Sequence, residues 1–323
     1  RDLHSSSPSF PTRGASDLFP STAAPAGVPG QRSKASDTVS ASASRWDAEH
    51  PVASTVSPAG VMVGRLFDAS TATYRMAMAL PVQTIPVSEL AGTWNLLGWN
   101  FYPTYGIDAG NLVVASSGAI SGTRCFDDAI GTPEANCTAG PDPFMAFSAN
   151  ANGGFDLTST DPANVWKDRG FAYRAGNGDL MIVLLNAQGE FSLLTPYRVR
   201  GLPTVGAVTS GWNITVNPGL FAAAALSTFV NTITSVDAAT DSFTRNGGTV
   251  GGTVTVPQRL TQNNPRNGYT HRIAESVTDS AGATVNVREF FAMGLRGMGI
   301  SSVYLPNNLT VGSNATYSIS IDQ

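Results

Sequence analysis

Few residues in this chain could carry out acid–base or metal chemistry. The histidines are His4, His50 and His271, and only the last lies in a segment with strand character. A catalytic imidazole needs a nucleophile and an orienting acid, and the sequence contains no Gly-x-Ser-x-Gly elbow. Three histidines are also too few for a histidine-based metal centre unless carboxylates supply nearly all the ligands. We therefore predict no catalytic residue, no metal ligand, no cofactor and no enzymatic activity.

Acidic residues gather in one turn-rich segment, as Asp127, Asp128 and Glu134. A glycosidase needs two carboxylates at a fixed separation in an aromatic cleft, and a calcium loop needs its own ligand spacing. The segment matches neither pattern. We interpret it as a solvated turn.

The same segment contains the two cysteines of the chain, Cys125 and Cys137. They are flanked by polar residues and have no His or Cys partners for zinc. We predict a disulfide that closes a short loop and contributes about 3 kcal/mol in the chain-entropy model. A pair of unrelated buried thiols is the alternative. Since disulfides persist outside the reducing cytoplasm, the pairing predicts export.

Aromatic residues are densest just before the cysteine segment. Strand alternation predicts that Trp94 points inward, whereas the later aromatics flank a proline and resemble a loop. Core packing accounts for most of the cluster, and the mouth of a ligand pocket or a subunit interface is the alternative. The candidate contact residues are Trp94, Trp99, Phe101, Tyr102 and Tyr105.

The amino-acid composition of the chain limits the kinds of partner that it can bind. Charged residues make up 13% of the 323 residues, about half the usual share, so Ser, Thr, Asn, Gln and Gly must build the surface. This is common in secreted fibres, adhesins and envelope proteins. A net charge of −4 argues against nucleic acid, which needs clustered Lys and Arg.

No segment is apolar for long enough to cross a bilayer as a helix, because the longest apolar stretch is residues 220–226. The chain starts at Arg1 rather than Met, so we expect a processed N-terminus. We predict an exported protein of the cell surface or extracellular space, with the periplasm as the alternative.

The elements that would position these residues fall into three predicted segments. Residues 1–57 are rich in Ser, Ala, Pro and Thr and cannot bury enough apolar surface to fold alone. We predict an extended arm whose strand-forming residues include Val52, Thr55 and Val56. Two β units follow, at residues 58–202 and 203–323.

Short strands separated by turns fill both units. Hairpins are predicted for residues 61–63 with 74–80, for 180–185 with 190–194, and for 274–278 with 283–287. A helix is an alternative only at residues 220–230. The predicted fold is all-β, with antiparallel sheets that form one or two barrel- or sandwich-like units and an extended N-terminal arm.

Two resemblances accompany this interpretation. Residues 90–98, Leu-Ala-Gly-Thr-Trp-Asn-Leu-Leu-Gly, resemble the first strand of the calycins, the lipocalin and avidin barrels, whose Gly-x-Trp starts the barrel. Residues 119–123 are similar to the second strand of avidins, but no later run of tryptophans would wall a biotin pocket. The cysteine pair and residues 173–176, 245–247 and 264–268 resemble exported β-rich proteins of unknown function in high-GC proteobacteria, which imply no activity.

Two functions remain. We predict a non-enzymatic structural or assembly protein, a subunit of a fibre or oligomer that self-associates through its N-terminal arm or its sheet edges. The alternative is a calycin-like binder of a small apolar ligand, which the Gly-x-Trp resemblance implies.

Overall fold

The fold is known from a computed structural model of the 323-residue chain. The residues it describes are 53–68, 73–100, 106–124, 130–137, 139–162, 164–185, 191–217, 222–295, 299–306 and 316–322. They form antiparallel strands and two short 3₁₀ helices, Val87–Leu90 and Glu134–Asn136. The predicted all-β class is therefore confirmed, while residues 1–52 of the predicted arm lie outside the described residues.

A three-stranded sheet opens the described chain, in the order β1-β2-β3. The hairpin predicted between residues 61–63 and 74–80 is confirmed as β2 paired with β3. Val61 and Val63 are fully buried beneath this sheet. The strands are β1 (Ala53–Val56), β2 (Met62–Asp68) and β3 (Thr73–Ala79).

A nine-stranded sheet follows and curls into a half-barrel, in the order β7-β6-β5-β4-β12-β11-β10-β9-β8. Its strands are β4 (Gly92–Asn100), β5 (Gly106–Val114), β6 (Ile120–Arg124), β7 (Ala139–Gly140), β8 (Met145–Ala149), β9 (Phe155–Asp161), β10 (Asn164–Arg174), β11 (Leu180–Leu185) and β12 (Phe191–Pro196). The predicted pairing of residues 180–185 with 190–194 is confirmed as β11 with β12.

The curl of this sheet brings its two ends together at one point. Ala119 forms an isolated bridge with Ala146, and the Phe147 N–H donates to the Gly118 carbonyl at 2.8 Å. Gly118 has a φ of +90°, and a Cβ there would lie 2.2 Å from the Phe147 carbonyl oxygen. Only glycine fits this seam.

Eight of the remaining strands close into a barrel, in the order β13-β14-β15-β16-β17-β20-β21-β22. A two-stranded hairpin of β18 and β19 is inserted between β17 and β20, which confirms the third predicted hairpin. The strands are β13 (Val208–Asn217), β14 (Ala222–Asp237), β15 (Ser242–Gly248), β16 (Val256–Gln262), β17 (Tyr269–Arg272), β18 (Glu275–Thr278), β19 (Thr284–Val287), β20 (Phe290–Leu295), β21 (Ile300–Leu305) and β22 (Thr316–Asp322).

The helical alternative at residues 220–230 is wrong, because β14 occupies residues from Ala222 onward. This strand pairs with β13 on one side and β15 on the other. Two ladders of backbone hydrogen bonds stabilise this strand. They outweigh the helix preference of its alanines, which is roughly a few tenths of a kcal/mol per residue.

The barrel and the nine-stranded sheet share one hydrophobic core. Tyr317, Ile319 and Ile321 of β22 point out of the barrel and are fully buried in the same cluster as Leu97 and Leu193 of the sheet. We call the barrel strands β13, β17, β20, β21 and β22 the shared wall, since their outward side chains contribute to this core. The division into two β units at residues 58–202 and 203–323 stays a prediction.

Polar contacts also join the two parts across the shared wall. The hydroxyl groups of Ser302 and Tyr317 donate to the Leu97 carbonyl at 3.1 and 3.2 Å, and the Tyr269 hydroxyl donates to the Leu96 carbonyl at 2.7 Å. These bonds satisfy buried groups that would be costly if left without partners.

Candidate ligand-binding lumen

The barrel encloses a cavity of about 800 Å³, which we call the lumen. Every barrel strand contributes alternate residues to its lining, and residues 200–207 contribute at one end. An eight-stranded barrel is just wide enough to be filled by side chains or to hold one small ligand. Here small residues at lining positions leave the space open, among them Gly247, Gly248, Ala292, Gly294 and Ser318.

Strand alternation explains why polar side chains line part of the lumen. In the shared wall the apolar residues of β22 face the core, so Ser318, Ser320 and Asp322 must face inward. The opposite wall adds Asn231 of β14 and Gln258 of β16. The interior of the closed barrel therefore carries polar side chains beside apolar ones.

Arginines dominate the charge of the lumen. The charged residues that line it are Arg200, Arg245, Arg272, Arg288 and Asp322. The charges of four arginines and one aspartate leave an excess of positive charge in a chain whose net charge is −4. Such a concentration of one sign inside a low-dielectric wall attracts counter-ions.

Two of these arginines have terminal nitrogens with no acceptor among the described residues. Arg245 donates from Nε to Gln258 Oε1 at 2.9 Å, and Arg272 donates from Nε to the Arg288 carbonyl at 2.9 Å. Within the described part of the chain, their Nη atoms make no hydrogen bond. Arg288 is anchored differently, because its Nη2 donates to the Pro306 carbonyl at 3.1 Å.

An aromatic ring lies beside both of these guanidinium groups. The Cζ atom of Arg272 is 4.5 Å from the centroid of Phe290, and the Cζ atom of Arg245 is 5.5 Å from the same centroid. Both distances fall within the range of cation–π attraction. Phe290 also packs with Phe243 and Leu260, so an apolar patch adjoins the cationic one.

Burial and mutual repulsion disfavour the charged forms of these arginines. Removal from bulk water lowers the pKa of Arg245 to about 10, against an opposing effect of Asp322. The pKa of Arg272 is lowered to about 9, mainly by burial and then by the positive charge of Arg245. Both guanidinium groups stay charged at neutral pH, and a bound negative charge would favour that state.

The segment that precedes β13 forms part of the lining of the lumen. Asn263, with a φ of +54°, accepts from the Arg200 N–H at 2.8 Å and donates to the Arg200 carbonyl at 3.0 Å. It also donates to Asp241 Oδ2 at 2.7 Å. Leu202 packs against the apolar patch formed by Phe243, Leu260 and Phe290. Residues 200–207 are thus fixed to the barrel as part of its lining.

The residues singled out from the sequence lie elsewhere. Trp94 is buried on the concave side of the nine-stranded sheet, where its Nε1 donates to the Leu90 carbonyl at 2.8 Å. Trp99 belongs to β4, with a side chain that is not described, and Phe101, Tyr102 and Tyr105 lie outside the described residues.

The predictions for the arm and for the cysteines fall partly on residues that the structure does not describe. Thr55 and Val56 belong to β1, which pairs with β2 of the same chain, while Val52 lies outside the described residues. Cys137 is described and Cys125 is not, so the disulfide between them stays a prediction.

His271 points away from the lumen. Its Nε2 lies 2.8 Å from Glu289 Oε1, and its ring stacks on Phe291 at 4.5 Å between centroids. Among the described residues, no group of three His, Cys, Asp or Glu side chains could hold a metal ion.

The lumen arginines were missed by sequence reasoning, since residues 245, 272 and 288 are far apart in the chain and follow no motif. The alternation of Tyr317, Ile319 and Ile321 with serines was a usable signal. It defines two faces, but only barrel closure decides that the polar face is the inner one.

Comparisons with known proteins give no family. No family model matches the chain, and no curated protein matches it. A solved protein with unknown function from the DUF3598 family of Nostoc punctiforme PCC 73102 is 11% identical, with a TM-score of 0.25, over 75% of this chain and 99% of that one. The calycin and proteobacterial resemblances stay predictions.

A second solved structure is a mutant of the vaccine antigen transferrin binding protein B from Haemophilus parasuis Hp5. It is 8% identical, with a TM-score of 0.29, and the match covers 84% of this chain and 54% of that one. The chain thus spans about half the length of that protein. Likeness at these TM-scores carries no information about a ligand or an activity.

Proposed function

We propose that this protein binds a small molecule inside its closed barrel, without catalysis. The observation that carries the proposal is the lumen of about 800 Å³. Ligand pockets are concave, have volumes of about 300–1,000 Å³ and combine apolar walls with a few placed polar groups. The lumen has this size and this mixed lining.

Binding is favoured over catalysis by the types of side chain at hand. Among the described residues that line the lumen, Asp322 is the sole carboxylate, and neither His nor Cys is present. Arginines carry a positive charge and donate hydrogen bonds to a ligand's acceptors, but they rarely transfer protons. This set suits the recognition of a ligand better than acid–base chemistry.

The test uses a neutral fluorescent probe, N-phenyl-1-naphthylamine, with the purified full chain. We expect saturable binding at one site. Ala292→Trp places an indole in the lumen and should weaken binding about tenfold or more, equivalent to roughly 1.4 kcal/mol. Ser235→Trp is the matched control, because Ser235 is exposed on β14.

The proposal fails if the probe does not bind, or if the two tryptophan variants bind it equally. Circular dichroism and thermal unfolding of both variants establish that the barrel is intact. A probe bound at the outer surface would be insensitive to Ala292→Trp.

One observation favours the assembly role as a second candidate. Within the described strands, β1 pairs only with β2, so its other edge has no ladder. An open edge can accept a strand from another chain. Deleting residues 1–57 and comparing particle size by light scattering tests this role, and an unchanged monomer before and after would contradict it.

Export stays part of the proposal. The described residues include no helix that is both long and apolar enough to span a membrane. Mass spectrometry of the unreduced protein tests the compartment through Cys125 and Cys137, and alkylation of both thiols in native protein would contradict export.

A further inference from the structure

We infer that the ligand of the lumen is an organic anion, with its acid group held by Arg245 and Arg272 beside Phe290. This inference rests on the proposed function and specifies the chemical class of the ligand. It follows from the charges, the free hydrogen-bond donors and the apolar patch of the lumen.

The charge of the lumen excludes a cationic ligand. Asp322 is the only acidic residue among the described lining residues, against four arginines. A second carboxylate, Glu275, favours the charged form of Arg272 but does not line the lumen. Among the described residues, no carboxylate forms an ion pair with Arg245 or Arg272, and a bound anion would balance these two positive charges.

The hydrogen-bond donors point to the same class. The side chain of Arg272 is largely enclosed, with the residue 8% exposed, yet its Nη atoms have no acceptor in the described part of the chain. The Nη atoms of the partly buried Arg245 also have no acceptor among the described residues. Donors that line the lumen without an acceptor can bind a ligand, and a planar guanidinium matches the two oxygens of a carboxylate or phosphate.

Fixed orientation makes this a built site. Arg245 is held through Nε by Gln258, and Arg272 is held through Nε by the backbone of Arg288. Both guanidinium groups lie within 5.5 Å of the centroid of Phe290. Because the Nε atoms are engaged, the Nη atoms are the ones left to meet a ligand.

The neighbouring apolar patch indicates that the anion carries an apolar body. Phe243 and Leu260 adjoin Phe290, and Phe229 lines the same cavity. A free inorganic ion would leave most of the lumen and all of this apolar surface unused. A ligand with an acid group at one end and an aromatic or aliphatic body suits both patches.

The experiment compares two probes that share one body and differ in one acid group. N-phenyl-1-naphthylamine is neutral, and 1-anilinonaphthalene-8-sulfonate adds a sulfonate. We expect the wild-type chain to bind the sulfonate at least about tenfold more tightly. Arg245→Gln and Arg272→Gln should each weaken the sulfonate about tenfold and change the neutral probe less than about twofold.

Arg259→Gln is the matched control, since Arg259 is an exposed arginine on the same strand as Gln258. It removes one positive charge without changing the lumen. Equal affinity for the two probes in the wild-type chain, or equal effects of Arg259→Gln and Arg272→Gln, would overturn the inference.

The outcomes separate the inference from the proposed function. If Ala292→Trp weakens both probes but neither arginine variant affects their ratio, the lumen binds small molecules and the anion inference is wrong. If Ala292→Trp affects neither probe, the proposed function itself fails.

A competition on wild-type protein needs no variant to fold. Decanoate, decyl phosphate and 1-decanol share an alkyl chain and differ in the head group. We expect the two acids to displace the sulfonate probe at concentrations at least about tenfold lower than the alcohol. The more potent acid identifies the preferred head group, and displacement by the alcohol at equal concentration would contradict the inference.

Discussion

The concave side of the nine-stranded sheet and the lumen of the barrel are both enclosed by curved antiparallel strands, but they are filled differently. The concave side is packed with buried apolar residues such as Leu96, Leu112, Phe147 and Ile182. The lumen is hollow and partly lined by arginines and serines. Curvature therefore encloses a space in both regions, and the side chains on the inner face decide whether it becomes a packed core or an open cavity.

The two regions also treat charge differently. In the sheet, Asp156 contacts Lys167 Nζ at 2.7 Å and Arg169 Nη1 at 3.2 Å. In the lumen, Arg245 and Arg272 have no carboxylate in hydrogen-bond contact within the described residues. The sheet neutralises its charges internally, whereas the lumen leaves a positive charge available to a ligand.

The comparison predicts the largest effect for a truncation in the sheet. Phe147 is buried and lies edge-to-face with Phe155 at 6.4 Å between centroids. Phe147→Ala should lower the free energy of unfolding by about 3–5 kcal/mol, because it creates a cavity in a close-packed region. Urea unfolding followed by circular dichroism measures this.

The counterpart in the barrel is Phe229, which faces the existing cavity and is half-buried. Phe229→Ala should cost only about 1 kcal/mol, since it removes partial burial and enlarges an open space. Equal losses for the two variants would contradict the distinction between a filled and a hollow interior.

A loss smaller than that of Phe147→Ala is expected at the boundary of the two regions. The hydroxyl of the fully buried Tyr269 donates to the Leu96 carbonyl across that boundary. Tyr269→Phe should lower the free energy of unfolding by about 1–3 kcal/mol, because this buried bond is lost. Tyr304→Phe is the control: its hydroxyl makes no hydrogen bond to a described residue, and a loss as large there would rule out the bond as the cause.

An effect of opposite sign is expected in the lumen. Arg272→Gln, measured without ligand at neutral pH, should raise the free energy of unfolding by about 1 kcal/mol, because it removes a largely buried charge that has no carboxylate in hydrogen-bond contact among the described residues. Urea unfolding beside the wild type measures the change. Destabilisation of similar size would mean that the protein itself satisfies this arginine.

The smallest effect is expected for the paired charge of the sheet. Burial raises the pKa of Asp156, but hydrogen bonds from Lys167 and neighbouring side chains lower it more, so that it lies below its ordinary value. The carboxylate therefore contributes stability above about pH 4, and this contribution disappears as the pH falls through the lower folded-state pKa.

Asp156→Asn should accordingly cost about 0.5–1 kcal/mol at pH 7 and almost nothing at about pH 2. Urea unfolding of wild type and variant at both pH values measures the difference. A difference that is independent of pH would show that the carboxylate charge is not responsible.

The hairpins were predictable from the sequence, and the closure of the barrel was not. Turn residues such as Gly282, with a φ of +87°, lie between strands that pair with each other, so the hairpins could be located from adjacent residues. Barrel closure depends on β13 meeting β22, about a hundred residues later. No local pattern encodes that pairing.

The site was unpredictable for the same reason. Two faces of β17 can be identified from the sequence, because Thr270 and Arg272 alternate with Tyr269 and His271. The usual pattern of soluble proteins places a charged arginine on the outer, solvent-facing side. In the folded chain Tyr269 is the buried partner of the sheet and Arg272 faces the lumen. The usual arrangement, with polar residues outside and apolar residues inside, is reversed here because the nine-stranded sheet covers the apolar outer face of the shared wall.

The shared wall has a consequence for how this sequence can change over time. Its strands present core to one side and lumen to the other, so deleting a single residue from β22 would move Tyr317, Ile319 and Ile321 into the lumen and their serine neighbours into the core. Substitutions can change the side chains of the inner face one residue at a time. Insertions and deletions should instead accumulate in the β18–β19 hairpin, so that related genes would differ in length there and agree in the spacing of the wall.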